Sequence, residues 1–205
     1  MKIGVMGGTF DPIHIGHLVI AEEGRARFGL EKVVFVPSAR PPHKTNTPHA
    51  QARDRMRMVE LAIQANPALD VSDIEVRREG LSYTIDTLRS MRSLYGVETE
   101  LFFIAGADAI LEILTWKDPE ALFAESRFLV ANRPGYTLEK LVDALPELNS
   151  NGQRAIENVL LMDIPALAIS STDIRERVNE GRPFRYMVPE QVWAYIQEKG
   201  LYGQR

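Results

Sequence analysis

An α/β fold with a doubly wound, mostly parallel sheet is what this sequence predicts, and two observations predict it. Six short apolar, β-rich runs recur along the chain, and stretches with helical spacing lie between them. Strand alternating with helix implies βαβ units, right-handed crossovers and a sheet covered on both faces. At 205 residues, 45% hydrophobic and 25% charged, the chain can bury one good core. Residues 1–205 are therefore expected to form a single domain with a helical C-terminal part.

The elements follow in order. Ile3 to Met6 is a first buried strand, too short and wrongly flanked for a signal peptide. Leu18 to Phe28 has helical spacing, Val33 to Val36 is a second strand, and Asp54 to Ala65 a second helix. Val71 to Val76 reads as the third strand, Thr84 to Leu94 as a helix, and Leu101 to Ala105 as the fourth strand. Phe128 to Ala131, a helix over Leu138 to Leu145, a surface loop over Pro146 to Gly152 and a strand over Val159 to Met162 complete the alternation. Pro189, whose missing amide hydrogen costs nothing at a first helical position, opens the last helix, and Gly200 closes it after Lys199. Val192, Trp193 and Ile196 form its apolar face, an ordinary core contact.

Charge and composition exclude several classes of function. With a net charge of -4 there is no bulk positive field for nucleic acid or an anionic membrane, so any phosphate site must be local. The absence of cysteine removes disulfides, thiolate zinc sites and cysteine nucleophiles, and fits a cytoplasmic enzyme. No apolar run reaches the roughly 18 residues of a membrane span. Arg53, Arg55 and Arg57 form a basic cluster offset by Asp54 and Glu60, which reads as a solvated helix face.

In open parallel sheets ligands bind beyond the carboxyl ends of the strands. The residues after the first strand, Gly7-Gly8-Thr9-Phe10-Asp11-Pro12-Ile13-His14-Ile15-Gly16-His17, fit neither the G-x-G-x-x-G order nor the Walker pattern. Gly7-Gly8 would let the backbone turn tightly against a ligand, and Thr9 adds a hydroxyl. His14 and His17, three residues apart in the first turn of a helix, would point the same way. Gly16 between them would let a flat base or ribose lie close, and the helix N-terminus offers amide hydrogens to a phosphate. A zinc site is a further option, although no third ligand has obvious spacing. Near the other end, Ile169-Ser170-Ser171-Thr172-Asp173-Ile174-Arg175 carries hydroxyls before a helix, which capping alone would explain.

Together, His14-Ile15-Gly16-His17 and Ile169 to Arg175 resemble the two signatures of the HIGH-motif nucleotidyltransferase superfamily. Class I aminoacyl-tRNA synthetases share HIGH but use a lysine-rich second signature on far longer chains. The resemblance is closest to bacterial nicotinate-nucleotide adenylyltransferases. It extends through Val36-Pro37, Pro41-Pro42-His43-Lys44, Ser82 to Leu88, Gly106-Ala107-Asp108, Trp116 and Asn132-Arg133-Pro134-Gly135.

That resemblance implies a Rossmann-like nucleotidyltransferase domain over residues 1–205 and a set of roles. Gly7, Gly8, Thr9, Phe10, His14, His17, Gly106, Asp108, Ile169, Ser170, Ser171, Thr172 and Arg175 would bind ATP. His14, His17, Lys44 and Arg175 would be catalytic. Lys44, Tyr83, Thr84, Asp108, Trp116, the amide of Lys117 and Arg133 would bind nicotinate mononucleotide. On the residues themselves, Thr84 is expected at a strand-to-helix junction, as a simple cap or a carboxylate ligand. Trp116, after a helix, is a stacking plate for a pyridine ring or else a core plug. Lys44 would otherwise be merely solvated.

The implied reaction joins AMP from ATP to nicotinate mononucleotide, with magnesium carried on the triphosphate and no protein ligand named for it. The expected partners are these small molecules, neither nucleic acid nor membrane, and a homo-oligomer is compatible with the sequence. The alternatives are a related adenylyltransferase acting on nicotinamide mononucleotide or phosphopantetheine, and a nucleotide sensor without turnover.

Overall fold

The computed structural model describes residues 1–40, 49–132, 155–165 and 167–203. Six parallel strands form one sheet: β1 (Lys2–Gly8), β2 (Lys32–Pro37), β3 (Leu69–Val71), β4 (Glu100–Gly106), β5 (Arg127–Asn132) and β6 (Val159–Asp163). Their spatial order is β3-β2-β1-β4-β5-β6. The chain thus reverses its direction of travel between β1 and β4, and a crevice opens at the carboxyl ends of those two strands.

Strand composition follows from burial on both faces. Val33 and Phe35 of β2, Phe102 and Ile104 of β4, and Leu129 and Ala131 of β5 enter one core. Their neighbours Val34, Val36, Leu101, Phe103, Phe128 and Val130 enter the other. A sheet covered on both sides needs such near-continuous apolar runs. On the first face lie α1 (Ile15–Phe28), α2 (Ala52–Ile63), α7 (Ser171–Asn179) and α8 (Glu190–Lys199). On the second lie α3 (Ile74–Arg77), α4 (Thr84–Tyr95), α5 (Ala107–Leu111) and α6 (Pro119–Glu125). The expected α/β, doubly wound class is the one observed.

Three expectations need correction here. The third strand is Leu69–Val71, not Val71 to Val76. Its register is set by pairing with β2, Leu69 lying opposite Val33 and Val71 opposite Phe35, and Ile74–Arg77 turns instead into a helix. Thr84 follows a loop rather than a strand, as the first residue of α4. Pro189 has extended geometry (φ -57°, ψ 149°) and stands just before α8, which begins at Glu190. Val192 and Ile196 are core residues as expected, whereas Trp193 is half-buried with the Arg185 guanidinium 4.4 Å above its ring. The expected helix at 138–145 and loop at 146–152 lie outside the described residues.

Candidate active site

A cavity of about 380 Å³ occupies the crevice. Its floor is the end of β1, Met6 to Gly8, with Thr9, and the end of β4, Phe103 to Gly106. One wall carries His17 and Ile20 from α1; the opposite wall carries Ser82, Tyr83, Thr84, Trp116 and Lys117.

Gly7 and Gly8 are the last residues of β1 and make no turn, contrary to expectation. The left-handed conformation falls on Phe10, at φ 49°. Phe10 is buried, edge-on to His17 at 5.1 Å between ring centres and to Phe35 at 5.6 Å. A Cβ on Gly8 would stand 2.9 Å from the Phe10 ring, so glycine there admits that ring.

His14 sits at the N-cap of α1 rather than inside its first turn. His17 and His14 do face together: their rings stack at 3.7 Å with 26° between planes. The His14 backbone N–H donates to His17 Nδ1 at 3.2 Å. With Nδ1 accepting, the proton of a neutral His17 ring resides on Nε2, which makes that nitrogen a donor. A Cβ on Gly16 would come within 3.1 Å of the His14 imidazole, so the space left by this glycine receives the histidine ring.

The second signature docks on the first. Ser170 accepts from the Asp173 amide and caps α7. Ser171 Oγ donates to Pro12 O at 2.9 Å, and Arg175 Nη1 donates to Asp11 O at 2.8 Å while its Nη2 meets Thr172 Oγ1 at 3.2 Å. Ile169 packs against the first core. Residues from opposite ends of the chain thereby share one edge of the site, with the N-terminus of α7 beside that of α1.

Beneath this edge Asp11 is buried. Its carboxylate accepts from the amides of His49 (2.8 Å) and Ala50 (3.1 Å) and from Tyr202 Oη (2.9 Å). Burial among such groups pushes the Tyr202 phenol well above its ordinary range. Arg55 corrects the reading of a solvated basic face: it is only 1% exposed. It donates to Thr9 O at 2.6 Å and Ala50 O at 3.2 Å. Burial lowers its pKa, opposed by the nearby Asp11 charge, and a guanidinium stays protonated all the same. Arg53 and Arg57 are exposed, as expected.

Across the cavity Trp116 follows a short 3-10 turn, Ile113–Thr115, and meets Phe103 edge-on at 5.9 Å. Lys117 contributes more than its amide. Its Nζ pairs with Asp86 at 3.1 Å and lies 4.7 Å above the Tyr83 ring, fixing the tyrosine that lines the wall. Asp108 is the second residue of α5, after Gly106 and Ala107. Lys44 and Arg133 lie outside the described residues.

Two buried polar residues of the cavity escaped the sequence reading. Ser38, at 8% exposure, lines the cavity with an Oγ that has no hydrogen-bond partner among the described residues. Glu75 lines it at 6% exposure, and burial pushes its carboxyl above the ordinary range. Reading residues 71 to 76 as a strand hid Glu75; no spacing in the sequence marks Ser38.

Known proteins resemble this chain over most of its length. The cytidylyltransferase-like family model matches residues 5–177. A protein of Moorella thermoacetica named "Probable nicotinate-nucleotide adenylyltransferase" is 52% identical over 204 residues, covering 100% of this chain and 93% of its own. A protein of the same name from Salinispora arenicola is 45% identical over 96% of this chain and 99% of its own. Among solved structures, nicotinic acid mononucleotide adenylyltransferase of Plasmodium falciparum complexed with NaAD superposes with a TM-score of 0.77 at 21% identity. That match covers 98% of this chain and 97% of the other, a likeness of fold. Matched over most of its length by the family model and by relatives near half identical, the chain belongs to the cytidylyltransferase-like family, among its nicotinate-nucleotide adenylyltransferases.

Proposed function

We propose that this protein is a nucleotidyltransferase that moves the adenylyl group of ATP onto the phosphate of nicotinate mononucleotide, giving nicotinate adenine dinucleotide and pyrophosphate for NAD biosynthesis. The observation that carries the reading is the stacked His14–His17 pair at the start of α1, of which His17 lines a cavity at the switch point of the sheet. The names of the full-length relatives support the substrate.

A phosphate oxygen of the mononucleotide attacks the α phosphorus of ATP, and the bond to pyrophosphate breaks. The second pKa of such a phosphate is about 6, so it is already ionised at neutral pH and needs no general base. Bringing two anions together in line and stabilising charge on the departing pyrophosphate is the protein's task. His14 and His17 are assigned to the phosphates, with His17 Nε2 as a donor. Lys44 and Arg175 are assigned to the leaving pyrophosphate, aided by the amides at the N-terminus of α7. Arg175 spends two of its N–H groups on Asp11 and Thr172, which fixes the guanidinium plane beside the starts of α1 and α7.

Gly7, Gly8, Thr9, Phe10, Gly106, Asp108, Ile169, Ser170, Ser171 and Thr172 complete the proposed ATP site, with Asp108 shared between riboses. Tyr83, Thr84, Trp116 and the Lys117 amide are assigned to the nicotinate ring and carboxylate, and Arg133 to the mononucleotide phosphate.

Among the described residues no group of three His, Asp or Glu has metal-ligand geometry. The donors at the phosphate edge are imidazoles, hydroxyls, amides and a guanidinium, which suit phosphate oxygens rather than a cation. This fits magnesium carried on the triphosphate, where it would neutralise charge. Among the described residues no helix is long and apolar enough to cross a membrane. We assign the protein to the cytoplasm, with residues 1–205 as one domain; the lack of cysteine supports the compartment.

The test is pyrophosphate release from ATP and magnesium with nicotinate mononucleotide, nicotinamide mononucleotide or phosphopantetheine. Fast release with the nicotinate compound is expected; release only with another acceptor overturns the substrate, and release with none overturns the activity. His17→Ala should lower turnover on the order of 10² to 10³-fold. Turnover within about threefold of the parent would remove His17 from the phosphate-stabilising role.

A further inference from the structure

Two cavity lips meet at Ser82, beside one buried carboxyl, Glu75. The first lip is the end of β2 and its continuation, Ser38 to Arg40; the second is the loop ahead of α4, where Ser82 precedes Tyr83 and Thr84. The amides of Ala39 and Arg40 both donate to Ser82 Oγ, at 3.1 and 3.2 Å, and the Ser82 amide donates back to Arg40 O at 2.9 Å. A hydroxyl has two lone pairs and one hydrogen. With both lone pairs of Ser82 occupied by amides, its hydrogen is left for an acceptor, and the neighbouring Glu75 carboxyl, which lines the same cavity, is the group beside it.

Glu75 also accepts from Thr87 Oγ1, on the first turn of α4, and Arg78 braces the same turn through Asp86 O at 3.3 Å and Ser90 Oγ at 2.9 Å. One carboxyl thus stands at both ends of the span from Ser82 to Thr87, gripping Thr87 directly and offering the second grip to the Ser82 hydroxyl. Tyr83 and Thr84, the cavity-lining residues, lie between the two grips.

We propose that Glu75 is a positioning residue for the acceptor: by holding Ser82 and Thr87 it fixes the Tyr83–Thr84 wall and ties it to the β2 lip. Glutamine in its place has a single acceptor oxygen and an amide NH₂ that cannot accept from a hydroxyl. Glu75→Gln therefore keeps the side-chain size but leaves both hydroxyls one neutral oxygen in place of a charged pair, which weakens the two grips. The span that loosens faces the proposed nicotinate pocket and not the phosphate edge, where His17 and α7 are held by separate contacts. The identity of the acceptor rests on the adenylyl-transfer reading; the grip does not.

The experiment has two readouts on the intact protein. In the absence of substrate, hydrogen exchange at the Ala39 and Arg40 amides should be on the order of tenfold faster in Glu75→Gln than in the parent. In steady state, the KM for nicotinate mononucleotide should rise on the order of tenfold, with kcat and the KM for ATP within about twofold. Glu75→Gln and Ser82→Ala should be non-additive, since both break the same tie. Unchanged exchange overturns the grip. Faster exchange with an unchanged acceptor KM, or with kcat and both KM values shifting together, overturns the positioning role. If the parent itself does not use nicotinate mononucleotide, the adenylyl acceptor fails while exchange still decides the grip. Thr87→Val, nearly isosteric and confined to the other end of the span, gives the same split should Glu75→Gln not fold.

Discussion

Arg55 shows what a single residue can conceal. Its neighbours Arg53, Asp54, Arg57 and Glu60 give the local sequence the look of a solvated surface, and Arg53 and Arg57 are exposed. The signal lay in the period: Arg55, Met58, Val59 and Ile63 follow the i, i+3, i+4, i+8 spacing of one helix face, and all four are buried. A charged group on an apolar stripe needs partners, and Arg55 finds them in Thr9 O and Ala50 O. Arg55→Leu would strand both carbonyls, with an expected cost of about 2–5 kcal/mol read from urea denaturation. Lysine, lacking the fork of donors, should recover little of it. A leucine variant as stable as the parent would show that the two carbonyls find water instead. His14 and His17 were legible because their spacing places them on one side of a helix start. Ser38 was not, because a buried hydroxyl acquires meaning only from the cavity around it.

At the scale of elements, the strands with strong apolar runs were legible and the shortest one was not. Val71, Ile74 and Val76 suit a strand as well as a helical turn, and pairing with β2 decided the matter by stopping at Val71. Ser72 and Asp73 then begin a turn, the Ile74 amide reaching Ser72 Oγ at 3.4 Å. Although the sequence puts Pro189 and His14 inside helices that they only precede, a helix start is legible where its cap is a local side-chain bond. Ser170 illustrates this: its hydroxyl accepts from the Asp173 amide at the start of α7. Ser170→Ala should lower stability by about 1 kcal/mol, measured by thermal or chemical denaturation. No loss would mean that Ser170 serves a ligand and not the helix.

For the molecule as a whole, alternation of strand and helix sufficed to give the class of fold, while the strand order β3-β2-β1-β4-β5-β6 came only with the structure. The same is true of the closure at Asp11, where Tyr202 arrives from 191 residues away and Arg175 from 164. Distant pairings leave no local pattern. Tyr202 makes this closure sensitive to alkali. Its folded pKa is raised by burial, so past about pH 10 the unfolded chain releases a proton that the folded one keeps, and stability falls as pH rises. Tyr202→Phe should lose about 1 kcal/mol at neutral pH and show a shallower loss between about pH 9 and 11. Parallel alkaline profiles would rule out Tyr202 as the titrating group. The closure also bears on how the protein is made. Contacts of such long separation form after local ones, and chains fold as they emerge, N-terminal parts first. A nascent chain would carry both histidines early, yet its phosphate edge would stay open until the segment from Ser171 to Tyr202 had left the ribosome, so adenylyl transfer should begin only once that segment has emerged.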